Sequence, residues 1–411
     1  MLPSRWPKTQ KRMLKLVVIA DDFTGALDNA VQFAERGVRT QAAFTEDVEF
    51  TALPPQLEVL AVTTESRHLL PQQAYRRVRS VAERAWKAGA LRIYKKTDSA
   101  LRGNVGAELQ AVLDATGMRQ LTFLPAYPEM GRITRGGIHY CGGVPVSESS
   151  LGRDPFDPVR TSDVRALVRS QTALPVKNVE ENADACGEGI LIYSAEENAQ
   201  IRQTARALLT RPVFAAAGSA GLSAALAAEM GCGAAWTEQR PAPESILFVC
   251  GSIHPTAMRQ IRALEKEVPV VRLPQDTEAL LRPETCKWAS KAIRKSLERE
   301  PAAILSVSEP EDSELDIRSG KAVSSMIAEI VSRLAEWKRL TLVVVGGDTL
   351  MAVCGKLFGR RLEPCRQLLP GVVLSRTRTA DGTEGWLISK AGSFGEENAL
   401  RELLLWLQDK K

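Results

Sequence analysis

Short apolar runs alternate with segments of helical periodicity along the whole chain, and most runs end at a turn rich in glycine or polar residues. In the first half the runs are LKLVVIA, LEVLAVT, LRIYKK, QLTFLPA, GILIYS and PVFAAAG. In the second half they are SILFVC, VPVVRL, AAILSVS, TLVVVGG and GWLIS. Continuous apolar runs separated by helix-length segments predict parallel strands covered by helices, an α/β fold of three-layer domains with largely parallel sheets. After LVVIA, residues Ala26, Leu27, Ala30, Val31, Phe33 and Ala34 recur at helical spacing, and Gly37 closes the segment. A further helix is predicted from near Gly103 through VGAELQAVLDA to Gly117.

The periodicity lapses between Gly231 and Ser245, where GCGAAWTEQRPAPES carries two prolines and mixed polarity. A chain of 411 residues exceeds one core at roughly 100–200 residues per domain, so this lapse is read as a boundary. The expected domains are 1–235 and 236–411, with 1–14 disordered. The segment from Pro125 to Pro158 is long, turn-rich and poor in helical pattern, which marks a functional insertion.

Composition narrows the class. Hydrophobic residues make up 44% and charged residues 25% of the chain, which is ordinary globular usage and argues against disorder. The 54 Lys and Arg against 49 Asp and Glu give a mild field, suited to small anions rather than to nucleic acid. The basic opening precedes LVVIA, which stops at Asp21 and Asp22 and is too short for a signal core or a membrane span. A cytoplasmic protein without membrane or nucleic-acid partners is expected. Seven scattered cysteines without a CxxC pair suit reduced core thiols, and three dispersed histidines suggest no zinc site.

In a parallel sheet, ligands collect beyond the carboxyl ends of the strands. There the first half presents ADDFTGA, then Glu65, Ser66 and Arg67, then KKTDSALRGN. Asp21, Asp22, Lys95, Lys96, Asp98 and Arg102 are expected to converge on one rim. Mixed acids and bases suit a small polyhydroxylated anion: cations take its carboxylate, carboxylates take its hydroxyls. The competing reading is that Asp22 or Thr24 caps the first helix and Asp98 or Ser99 caps a later one. His139, in the long loop, either faces the sugar-acid pocket or has no ligand role.

The second half repeats one device three times: SILFVC leads to GSIHP, TLVVV to GGDT and WLIS to KAGSFG. Strand, small-residue turn and helix aim backbone amides at an anion, which points to a polyphosphate. No GxxxxGK[ST] and no GxGxxG after the first strand of either half occurs, so neither a P-loop nor a dinucleotide fold is expected. His254 is a candidate for phosphate contact or for turn formation. Asp348 either meets Mg²⁺ through water or caps the following helix.

The stretches IADDFTGALD, KKTDSALRGNVGAEL, PAYPEMGRIT with GVPVSES, RDPFDPV, GSIHP, GGDT and KAGSFG occur in that order. As a set they resemble the four-carbon acid sugar kinase family, from about Leu16 to Leu405. The resemblance implies an N-terminal domain for the sugar acid and a C-terminal domain for ATP. It also implies phosphorylation of a four-carbon acid such as D-threonate, D-erythronate or an oxo-tetronate at its terminal hydroxyl. Carried over by motif, substrate contacts fall on Asp21 or Asp22, on Arg67, and on Lys96, Thr97, Asp98 and Ser99. Nucleotide contacts fall on Ser252, on Gly346, Gly347, Asp348 and Thr349, and on Gly392 with Ser393. Ser393 stands where the family more usually has glycine, and Ser194 where an aspartate is expected.

The expected reaction is in-line transfer from ATP, with Mg²⁺, to the C4 hydroxyl, across an interdomain active-site cleft that closes about the 231–245 segment. Asp22 is assigned as the base or hydroxyl-orienting group, with Asp21 second. Arg67, Lys96 and Arg102 are assigned to the substrate carboxylate or the transferring phosphate. A non-catalytic sugar-acid sensor would not need three phosphate loops, and a hydroxy-acid oxidoreductase would need GxGxxG. A homodimer is the default assembly.

Overall fold

A computed structural model describes residues 14–153, 157–179, 187–231, 240–274, 276–308, 317–334, 340–379 and 382–409. The expectation of disorder over 1–14 concerns residues that, apart from Leu14, lie outside this set, as does most of the expected hinge at 231–245. The chain divides into two compact units, Met1–Ala235 and Trp236–Lys411.

The strands of the first unit are β1 (Leu16–Ala20), β2 (Thr40–Ala43), β3 (Val59–Thr63), β4 (Arg92–Lys96), β5 (Gln120–Leu124), β6 (Arg132–Arg135), β7 (Ile138–Cys141), β8 (Val144–Pro145), β9 (Val176–Val179), β10 (Gly189–Tyr193) and β11 (Phe214–Gly218). Eight of them lie side by side in the order β2-β3-β1-β4-β11-β5-β10-β9, and every pair in this row is parallel. Its helices are α1 (Phe23–Ala34), α2 (Pro71–Lys87), α3 (Val105–Thr116), α4 (Val164–Arg169), α5 (Asn198–Leu209) and α6 (Ala220–Met230). Helices α2, α3 and α4 pack in one layer and α1, α6 and α5 in the other. Both faces of the central strands are therefore covered, which is why LVVIA is apolar at every position and fully buried.

The second unit is built from β12 (Ser245–Cys250), β13 (Val270–Leu273), β14 (Ala302–Val307), β15 (Leu340–Val345), β16 (Arg361–Leu369), β17 (Val372–Arg378) and β18 (Glu384–Lys390). The order β13-β14-β12-β15-β18 is parallel, and β17 and β16 extend it as an antiparallel meander. Helices α7 (Pro255–Leu264), α8 (Thr277–Leu281), α9 (Pro283–Leu297), α10 (Ile317–Ser332), α11 (Gly347–Leu357) and α12 (Ala399–Gln408) complete it. Helices α7 and α12 share one apolar core with β12, β15, β17 and β18, while α8, α9 and α11 pack with α10.

Every strand anticipated from an apolar run forms. The elements that escaped are β2, β9, β16, β17 and the small antiparallel sheet β6-β7-β8, which orders much of the segment read as loop from Pro125 to Pro158. No helix among the described residues is long and apolar enough to cross a membrane. Of the cysteines described, Cys250, Cys286, Cys354 and Cys365 are buried free thiols, and Cys141 is a partly buried one.

One buried ion pair fixes the carboxyl edge of the first sheet. Lys95, at the end of β4, is 0% exposed and lies 3.0 Å from Glu108 of α3, itself 2% exposed. Ser66 Oγ donates to the same carboxylate, and Lys95 Nζ donates to the Lys96 carbonyl at 2.6 Å. Removing one member strands the other's charge away from water, which costs about 3–5 kcal/mol. Glu108→Ala should therefore lower the stability of this unit by that amount in urea unfolding, while Lys95→Met with Glu108→Leu recovers most of it. A loss below about 1 kcal/mol in the single variant would show that the pair does not carry this edge.

Candidate active site

In the first unit, the loops after the adjacent strands β1, β3 and β4 open at one edge, because Ala20 lies in register with both Thr63 and Lys96. Arg67 links them. Its Nε donates to Asp21 Oδ2 at 2.7 Å, its Nη1 lies 2.7 Å from Asp22 Oδ2, and its Nη2 lies 3.8 Å from Asp98 Oδ1. Arg102 holds Asp98 in a fork, with both Nε–Oδ2 and Nη2–Oδ1 at 2.9 Å. Asp98 also accepts from the amides of Ala100 at 3.1 Å and Arg102 at 3.3 Å. Both loops are held in left-handed backbone at non-glycine residues, Glu65 with φ 43° and Leu101 with φ 67°. Strain of this kind persists only where surrounding bonds impose it.

The electrostatics follow from this packing. Burial alone would raise the Asp21 carboxyl, but Arg67, Lys95 and Lys96 outweigh it and hold the pKa at about 2. Asp98 is likewise buried, yet Arg67 and Arg102 keep it far below the usual carboxylate range. The same carboxylates overcome the burial penalty on Arg67 and raise its pKa.

Asp22 caps the first helix, as one reading anticipated, and also meets Arg67. Its Oδ1 accepts from the Gly25 amide at 2.7 Å, capping α1, and its Oδ2 faces Arg67. Asp98 and Ser99, by contrast, do not cap α3, whose N-cap is Asn104.

Among the described residues, four polar groups at this edge have no hydrogen-bond partner. Asp21 Oδ1 and Thr97 Oγ1 are buried without a hydrogen-bond partner. Lys96 is 6% exposed and makes no hydrogen bond or close ion pair to another described residue; its Nζ lies 3.2 Å from where a Gly25 Cβ would sit. Asp28, one turn further along α1, is partly buried. Its carboxyl is raised by burial, with Lys96 pulling it down and Asp22 pushing it up. Tyr127, after β5, feels Asp28 in turn: burial first, then Asp28 and Glu129, push its phenol to about 12. Beside Arg67 and Arg102 lies a cavity of about 340 Å³ lined also by His68, Asn104, Arg160 and Gln171. Buried polar atoms left without partners, and a cavity lined by Arg67 and Arg102, suit a polar anionic ligand.

His139 does not face that ligand site. It is fully buried in β7, its Nδ1 lies 2.9 Å from Thr134 Oγ1, and its Nε2 lies 2.9 Å from the Ser99 carbonyl. The carbonyl can only accept, so Nε2 carries the proton and Nδ1 accepts from the threonine. Burial lowers its pKa. His139 is a neutral strut that positions Ser99. Ser194 takes part in the same region through Oγ, which accepts from the Gly137 amide at 3.2 Å.

In the second unit the three glycine-rich turns meet. A Cβ on Gly251 would lie 2.2 Å from Thr349 Oγ1, and one on Gly392 would lie 2.5 Å from Ser252 Oγ. Only glycine permits these approaches. Gly346, at φ 106°, rests against Ser252 and donates its amide to the Lys390 carbonyl at 3.0 Å. Ser252, Gly346, Gly347, Thr349 and Gly392 are thus brought together, while Asp348 and Ser393 reach solvent. Asp348 caps nothing, since the N-cap of α11 is Gly346 without a side-chain bond. His254 caps α7, its Nδ1 accepting from the Thr256 amide at 3.2 Å.

Sequence reasoning passed over four residues here. Gln260, fully buried on α7, donates to the carbonyls of Phe394, Gly395 and Glu396 at 3.0, 3.0 and 2.8 Å and so shapes the last turn. Lys390 ends β18 directly under that turn. Asp28 and Tyr127 complete the first rim. Their only signal was a lone polar residue inside an apolar helix, or at the end of an apolar strand.

Comparison with known proteins agrees with this division. Residues 16–226 match the family described as sugar-binding N-terminal domain, and residues 247–400 the nucleotide-binding C-terminal domain. A D-threonate kinase of Bordetella bronchiseptica is 31% identical over 93% of this chain and 95% of its own. A D-threonate kinase of Salmonella typhimurium is 27% identical over 96% and 99%. A D-erythronate kinase of Heliobacterium modesticaldum is 28% identical over 94% and 95%. A solved Salmonella typhimurium protein described as a putative tRNA synthase shares the fold at a TM-score of 0.80 and 21% identity, covering 95% of this chain and 100% of its own. With matches to both domains and full-length relatives of this kind, the chain belongs to the four-carbon acid sugar kinase family.

Proposed function

We propose that this protein transfers the γ-phosphoryl group of ATP to the C4 hydroxyl of D-threonate or D-erythronate. The observation that carries the reading is the pairing of two sites of opposite design: a mixed acid–base rim with unpaired polar atoms in the sugar-binding unit, and three amide-lined turns meeting at one point in the nucleotide-binding unit. The choice among four-carbon acids rests on the relatives. Those named D-threonate or D-erythronate kinase share 27–31% identity with this chain, whereas those named 3-oxo-tetronate kinase share 23–29%.

The acid's carboxylate is taken by cations of the first rim, with Lys96 unpaired and Arg102 and Arg67 beside the cavity. That leaves the primary C4 hydroxyl, farthest from the carboxylate, as the acceptor. Its oxygen forms the new bond to Pγ as the bond from Pγ to the β,γ-bridging oxygen breaks, and ADP departs with that electron pair. Such a transfer asks mainly for positioning and charge neutralisation. ATP binds as its Mg²⁺ complex. Asp348, a carboxylate free at the start of α11, is a suitable donor for an ion that keeps most of its ligands as phosphate and water.

The hydroxyl proton needs an acceptor. Asp21 is held at about 2 by its cations and is a poor one. Asp22 has an oxygen on the Gly25 amide and another on Arg67, an arrangement that orients a hydroxyl. Asp28 has no hydrogen bond to another described residue and a carboxyl raised by burial, which suits it to take the proton.

A coupled ADP-release assay over aldonic acids of three to six carbons should give the highest kcat/KM with D-threonate or D-erythronate, and NMR of the product should place phosphate on C4. Preference for another chain length would overturn the reading, and preference for a 3-oxo acid would move the substrate within the family. Asp28→Asn should lower kcat by about 10²-fold or more and remove the acidic limb of the pH–rate profile. Asp22→Asn should lower turnover far more than ATP affinity. An unchanged acidic limb in Asp28→Asn would remove Asp28 from the proton's path, and equal losses of turnover and ATP affinity would remove Asp22 from the acceptor site.

A further inference from the structure

Lys390 is 1% exposed, and a buried ammonium is costly unless its charge and its three donors are satisfied. Only one donor is. Nζ reaches the Ala391 carbonyl at 2.9 Å, and no other described residue bonds it. The titratable groups that act on it or feel it are the Cys250 thiol of β12 and the His254 imidazole at the start of α7; no carboxylate among the described residues does. Behind these stand further cations, Arg272 acting on Cys250 and Arg259 on His254. Cys250 is pushed up to about 11 by burial and stays a neutral thiol. His254 is lowered by burial, then by Lys390 and Arg259.

The surroundings are equally lopsided. The Gly346 amide bonds the Lys390 carbonyl, a Cβ at Gly395 would lie 3.8 Å from Lys390 Cε, and Ser252 packs against Gly346 and Gly392. Two helices of ten and eleven residues, α7 and α11, begin at this point, adding amide dipoles of the same sign. A positive side chain has thus been buried where the backbone is already positive. Apart from the Ala391 carbonyl, no described residue of the unit offsets it.

We propose that Lys390 is the cation that meets the phosphates of the bound nucleotide, and that it takes up a proton from solvent as they bind. The proposal rests on ATP occupying this unit, as set out above. Burial lowers the free lysine to about 8, with Cys250 opposing. A polyphosphate favours the charged form and raises that value. The sign follows: well below pH 8 the lysine is already protonated and binding moves no proton. Above it, binding draws one in and affinity falls as pH rises.

The test is calorimetric titration of the whole protein with the non-hydrolysable β,γ-imido analogue of ATP and Mg²⁺, in buffers of different ionisation enthalpy. Mg²⁺ is kept saturating so that the analogue enters as its deprotonated metal complex, which limits the ligand's own contribution. Proton uptake should be close to zero at about pH 7 and approach roughly one per site at about pH 9. Lys390→Arg, charged throughout, should abolish the uptake, and Lys390→Met should abolish it and weaken binding at pH 7 by about 10- to 100-fold. Binding without uptake at either pH in the natural protein would overturn the proposal while leaving the kinase reading intact. Failure of the natural protein to bind the analogue at all would instead overturn the nucleotide assignment on which it rests.

Discussion

The first unit depends on one guanidinium. Arg67 is partly buried on a loop after β3 and holds Asp21 and Asp22 after β1 and faces Asp98 after β4. Carboxylates gathered at one sheet edge would repel one another, but Arg67 and Arg102 keep Asp21 and Asp98 ionised. The Lys95–Glu108 pair lies just beneath and ties β4 to α3, and Ser66 joins the loop that carries Arg67 to the same carboxylate. Charge therefore sets the shape of the three loops, and the loops leave Lys96, Asp28, Thr97 and Tyr127 available to a ligand.

The second unit solves a different problem by different means. A polyphosphate must be approached by backbone amides, and the approach is won with side-chain-free positions: Gly251 beneath Thr349 and Gly392 over Ser252. Gln260 then spends both protons of its amide on consecutive carbonyls of the 394–396 turn, keeping that turn open. Where the first unit offsets most of its buried charges with one another, no carboxylate among the described residues of the second lies against Lys390.

These contrasts explain which residues could be recognised in advance. The central strands were readable because covered sheets demand unbroken apolar runs. VKNV of β9 and RLEPCRQLL of β16 were not, since strands with exposed positions carry polar residues that look like loop, and TQAA of β2, though largely buried, is short and weakly apolar. The turns after β1, β3, β4, β12, β15 and β18 were legible because ligand loops follow strand ends in parallel sheets. His139 stayed open between two readings. Its partners are Thr134 and the Ser99 carbonyl, the latter 40 residues away in sequence, and nothing in the local pattern shows that both ring nitrogens are occupied.

The sequence by itself determined the layered α/β architecture and the turns that end its covered strands, and it pointed to the kind of ligand those turns suit. These depend on local pattern: apolar periodicity, glycine placement and charge type. Only the tertiary structure decided which charges are consumed by one another and which remain for a substrate. Asp21 and Asp98 are spoken for by Arg67 and Arg102, whereas among the described residues Asp28 and Lys96 make no salt bridge or hydrogen bond and Lys390 bonds only a carbonyl. Pairing is a matter of a few ångströms between residues far apart in the chain, and burial then multiplies the energy of having or lacking a partner.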